Sequence, residues 1–73
     1  MRFAVGTPVS DFLGDSRARF FVRVDNGMGG FDDHGQIPAS ALKTLYGDFR
    51  IIAYSVVCSS RRYLYLSRPP RLG

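Results

Sequence analysis

The eight residues from Arg17 to Val24 alternate strictly. Ala18, Phe20, Val22 and Val24 are apolar, and Arg17, Arg19, Phe21 and Arg23 fill the positions between them. A period of two over this length predicts a β-strand with one buried and one wet face, because successive side chains leave a pleated strand on opposite sides. The chain must therefore build a sheet around this strand, whose wet face displays three guanidiniums and a phenyl ring.

The remaining segments are read around that strand. Arg2 to Val5 reads as a short first strand stopped by Gly6, Thr7 and Pro8, and residues 8–16 as a loop that plugs Phe12 and Leu13 into the core. Asp25 to Gln36 carries Gly27, Gly29, Gly30 and Gly35, which predicts a mobile loop or a turn with positive φ. Ala39 to Tyr46 reads as a helix, with Pro38 in its first turn, Gly47 past its end, and Ile37, Ala41, Leu42, Leu45 and Tyr46 on one face. Phe49 to Cys58 is β-branched and apolar on both faces, which predicts the central strand. Residues 59–62 turn the chain into a last strand, Tyr63 to Ser67, and Pro69 and Pro70 make Arg68 to Gly73 an extended basic tail. The expected fold is a single α+β domain over residues 1–73, with an antiparallel sheet of three to four strands and one short helix in the order ββαββ. Residues 1–16 form a strand and loop in this reading, 17–67 the core and 68–73 the tail.

A chain of 73 residues buries about 60% of the surface that its unfolded form exposes, so its core is marginal. Six Phe and four Tyr are expected to supply much of it. Little volume remains for a deep, dry pocket, which favours binding over catalysis. The one cysteine, Cys58, has no internal disulfide partner, and neither a signal peptide nor an apolar membrane span is visible. A cytoplasmic location is expected. Charge is unevenly placed. Arg50 to Gly73 holds five Arg and no acidic residue, whereas residues 1–49 hold five basic residues and six Asp.

The usual chemical motifs fail on spacing. The glycines that follow Asn26 match neither a dinucleotide-binding nor a P-loop pattern, and Asp25, Asp32 and Asp33 would repel phosphate. A calcium loop starting at Asp25 has Gly27 and Gly29 where carboxylates are needed and Gln36 where a Glu is needed. Asp32, Asp33 and His34 are ligand types without a fourth partner, so no metal and no cofactor are expected. Cys58, at the end of an apolar strand, reads as inert packing rather than a nucleophile for His34. No catalytic residues are assigned.

The arginines and aromatics carry more information. Pairing Cys58 with Tyr63 would place Tyr54, Tyr63 and Tyr65 on one sheet face, flanked by Arg61, Arg62, Arg68 and Arg71. The expected binding residues are these four arginines with Arg17, Arg19, Phe21, Arg23, Tyr63 and Tyr65. Such a face can stack bases and hold phosphates. Arg19 to Val24 shares part of the RNP1 pattern of RNA-binding domains, without its glycines or spacing. The same residues serve as hot spots against a protein. The tyrosines could instead form the core beneath the helix, and the pattern leaves open which sheet face the helix covers.

With its 73 residues, unpaired Cys58, Arg-rich C-terminal third and absent catalytic set, the chain resembles in overall type the small regulators that bacteriophages encode to bind host machinery such as RNA polymerase. That resemblance implies a non-enzymatic protein that docks on a larger, acidic-surfaced protein or complex and inhibits or modulates it. Direct nucleic-acid binding through the arginine and aromatic face is the alternative, and neither a membrane nor a small-molecule substrate is expected.

Overall fold

The computed structural model describes residues 5–11, 17–56, 58 and 61–70. After a 3-10 turn at Val9–Asp11 come strands β1 (Arg19–Asp25) and β2 (Phe31–Pro38), helix α1 (Ala39–Tyr46), and strands β3 (Arg50–Val56) and β4 (Arg62–Ser67). The strands form one sheet in the order β2-β1-β4-β3, and α1 packs against one side of it. The α+β class is as expected. The strand expected at Arg2 to Val5 lies mostly outside the described residues, as do Phe12 and Leu13.

The sheet is mixed rather than antiparallel. β1 and β2 are antiparallel, as are β3 and β4, but β1 runs parallel to β4 with Phe21 beside Tyr63, Val22 beside Leu64, Arg23 beside Tyr65 and Val24 beside Leu66. Both strands alternate cleanly. Their apolar rows, Phe20, Val22 and Val24 with Leu64 and Leu66, are at most 2% exposed and meet Leu42, Ala39 and Tyr46 of α1. Two strands with matching apolar rows bury most when adjacent, which places them at the centre of the sheet.

β3 is consequently an outer strand, not the central one. Its register slips between Ile51 and Ala53, leaving Ile52 outside the pairing, and this bulge resets the alternation. A bulged strand reads as apolar on both faces without being buried on both. The start of its outer edge is covered by the chain's early residues: Gly6 N–H donates to Ile51 O (2.7 Å), Ile51 N–H to Thr7 O (2.9 Å) and Val9 N–H to Phe49 O (2.9 Å).

The expected hairpin register is also wrong. Ser55 rather than Cys58 lies opposite Tyr63, and Tyr54 lies opposite Leu64. An odd shift exchanges the faces of every residue on a strand. Tyr54 therefore joins the helix side, with its ring 6.1 Å from Phe20, and Tyr63 and Tyr65 stay on the other side. Cys58 is exposed beyond the end of β3 instead of packed.

The predicted mobile loop over Asp25 to Gln36 is in large part strand β2. Only Asn26 to Gly30 turns the chain, with Asn26 Oδ1 accepting from Met28 N–H (2.8 Å) and Gly30 N–H (3.2 Å). The register of β2 slips again near Gly35, which has φ of +80°, and Asp33 Oδ1 accepts the Gly35 N–H at 2.8 Å. A bulge that needs a left-handed residue explains a glycine inside a strand. β2 is mostly exposed, so hydropathy gave no sign of it.

α1 has the expected span, but its inward residues are Ala39, Leu42 and Tyr46, while Leu45 is exposed. The 39-42-46 spacing follows one helical stripe. Leu64→Ala should cost about 2–5 kcal/mol, the usual range for a fully buried leucine. In a domain this small, urea denaturation should find a folded state that is barely populated; a loss below about 1 kcal/mol would contradict the central place of β4.

Candidate functional site: the open face of the sheet

The odd-numbered residues of β1 and β4 point away from α1. Among the described residues, no element lies over this face. Phe21, Arg23, Tyr63 and Tyr65 are half-buried by one another, while Phe31 and Arg19 are exposed. The aromatic supply that the composition assigned to the core is thus divided. Phe20 and Tyr46 are buried, and four rings sit outside.

Those rings and two arginines form a continuous ladder across three strands. Arg61 Cζ lies 5.3 Å from the centre of the Phe21 ring. Phe21 lies 5.4 Å from Tyr63 at an interplanar angle of 32°. Arg23 Cζ stands 4.7 Å above Tyr63, and Arg23 Nη1 donates to Tyr65 Oη at 3.2 Å. Tyr65 then meets Phe31 edge-on at 4.9 Å. The order is cation, ring, ring, cation, ring, ring. Each guanidinium is held by the negative face of a ring, an attraction of about 0.5–1 kcal/mol at exposed sites and more where water is excluded.

The ladder holds five of the ten residues that the sequence singled out: Phe21, Arg23, Arg61, Tyr63 and Tyr65. Arg19 is on the same strand face without an aromatic contact among the described residues. Arg17 is exposed just before β1. Arg62 pairs with Val56 across the hairpin, so strand alternation directs it to the helix side. Arg68 is at the opposite end of β4, 4.0 Å from Asp32, with both side chains more than half exposed. Such a pair contributes little. Arg71 lies outside the described residues. Phe31 was missed because the glycines around it masked the strand that carries it.

His34 does not join the face. Its Nδ1 lies 2.7 Å from Tyr46 Oη on the helix side. Burial pushes the Tyr46 hydroxyl above the usual tyrosine value. Among the described residues, no three His, Cys, Asp or Glu side chains converge as metal ligands would. An open hollow of about 220 Å³ lies between Asp25, Asn26, Gly27, Ser67 and Arg68, smaller than the roughly 300–1,000 Å³ of ordinary ligand pockets. No helix among the described residues is long and apolar enough to cross a membrane. No protein-family profile, curated protein or solved structure matches the chain.

Two expectations check this geometry. A double-mutant cycle of Arg23→Ala and Tyr63→Ala, read by urea unfolding, should return a coupling of about 0.5–1 kcal/mol; independent effects would mean that the guanidinium does not rest on the ring. The raised Tyr46 value means that the unfolded chain releases this proton first as pH rises. The associated stability is complete below about pH 10 and is lost above it. Denaturation midpoints between pH 8 and 11 should therefore fall less steeply in Tyr46→Phe than in the parent chain.

Proposed function

We propose that this chain is a small non-enzymatic binding protein that docks through its open sheet face on a larger, acidic-surfaced protein machine and modulates that machine's activity. The observation that carries this reading is the ladder itself. Four aromatic rings stand outside the core, and the guanidiniums of Arg23 and Arg61 already rest on two of them. A side chain immobilised before binding loses less freedom on association, and Tyr and Arg clusters of this kind dominate interface energetics. Within that class, the resemblance to phage-type regulators makes RNA polymerase the leading target, and the exposed free thiol of Cys58 suits the reducing cytoplasm.

Nucleic acid is the competing ligand. A base stacking on Phe21 or Tyr63 would have to displace Arg61 or Arg23, and Asp25 and Asp33 share the same face. Both features favour a protein partner.

The test is capture from nuclease-treated host lysate by the immobilised chain, run beside a variant carrying Tyr63→Ala and Tyr65→Ala whose folding is verified by circular dichroism. A stoichiometric protein band that survives nuclease and disappears with the variant is expected. A band retained equally by the variant, or recovery of nucleic acid alone, would contradict the proposal.

A further inference from the structure

Parallel pairing of β1 with β4 has an electrostatic result. Both strands begin at the same end of the sheet, so Arg17 and Arg19 at the start of β1 come beside Arg61 and Arg62 at the start of β4. The end of β2, the start of α1 and the end of β3 meet there too: Arg19 pairs with Pro38, Ala39 N–H donates to Ala18 O at 2.9 Å, and Val56 pairs with Arg62. None of the described residues at this end is acidic. An antiparallel β4 would have carried Arg61 and Arg62 to the opposite end.

On its β1 and β2 side, the other end has the opposite sign. Asp25 closes β1, and Asp32 and Asp33 open β2 beside Val24 and Arg23. Arg68 offsets Asp32 in part, and Arg50, opposite Ser67 at the start of β3, makes the β3 border of this end positive. The ladder of rings lies between the two ends. The open face is therefore bipolar along its strands, positive where β1 and β4 start and negative where β1 ends.

We infer that this face takes a protein segment of matching polarity, with carboxylate side chains on the arginine end, apolar side chains across Phe21, Tyr63 and Tyr65, and basic side chains on the aspartate end. The inference rests on the open face being the docking site. Charge complementarity selects the occupant. A nucleic acid carries one sign along its whole length, so a strand lying across this face would meet Asp25 and Asp33 with its own phosphates. A polypeptide can change sign along its length, and like charges brought together at an interface cost enough to reject a wrong partner.

The experiment uses three labelled probes at near-physiological salt: a peptide with a glutamate block, a central run of leucines and a lysine block; the same peptide with glutamate replacing lysine; and an oligothymidylate of similar length. The bipolar peptide should bind roughly tenfold or more tightly than either of the others, a difference of about 1.4 kcal/mol. A spin label on its glutamate end should broaden NMR signals of Arg19 and Arg61, and one on its lysine end those of Asp25 and Asp33. Arg19→Glu with Arg61→Glu should erase the preference; both side chains are exposed, and circular dichroism verifies that the variant still folds. Equal or tighter binding of the oligothymidylate, a reversed orientation, or no binding of the bipolar peptide would overturn the inference. The lysate capture separates the two readings. If Tyr63→Ala with Tyr65→Ala loses the partner but the glutamate variant keeps it, the face docks without matched polarity and the inference fails. If both variants keep it, the docking face itself is wrong.

Discussion

The apolar rows of β1 and β4 face the helix side by side, Val22 against Leu64 and Val24 against Leu66, and much of the rest of the structure follows from that contact. These residues are fully buried, and each Å² of apolar surface they remove from water contributes about 25 cal/mol. Because successive side chains on a strand alternate, burying this row commits the other row to the opposite side. Phe21, Arg23, Tyr63 and Tyr65 are brought together as a result of how the core is made. The site and the core are two sides of one pairing.

Legibility in the sequence followed the regularity of each segment. β1 and α1 could be read because their periods run uninterrupted, seven residues in one and eight in the other. β2 could not. Gly35 relieves a bulge, Asp32 and Asp33 are exposed, and nothing in the hydropathy distinguishes such a strand from a loop. β3 was recognised as a strand but misplaced, since the bulge at Ile52 imitates the two-sided apolar pattern of a central strand. Five of the six ladder residues, all but Phe31, were visible in the alternating Arg and aromatic pattern of the last strand and of Arg17 to Val24. The ladder's closure depended on the register between β3 and β4, which the bulge at Ile52 resets, and on β1 pairing with β4, which joins residues some forty positions apart, such as Arg23 and Tyr65.

Arginine and aromatic side chains are often treated as separate signatures, one of phosphate binding and one of hydrophobic contact. In the open face they belong to a single assembly. Resting on Tyr63 and bonded to the Tyr65 hydroxyl, Arg23 has less rotamer freedom than a solvent-extended arginine, and Phe21 is partly covered by Arg61. A guanidinium held flat on a ring keeps N–H groups at its edge for an acceptor, with planar geometry suited to carboxylates.

The two borders of the sheet are treated differently. Gly6 to Val9 hydrogen bonds to Phe49 and Ile51 and occupies the start of the β3 border, and the bulge at Ile52 interrupts the rest. β2 has no such cover among the described residues, yet it carries a bulge at Gly35, adjacent Asp32 and Asp33, and Pro38, which lacks an N–H. Each of these opposes the addition of another strand. A mixed sheet with one border partly occupied and bulged and the other made irregular resists growth into ribbons of many copies. An open face of rings and guanidiniums can then stay exposed without its sheet edges recruiting further copies.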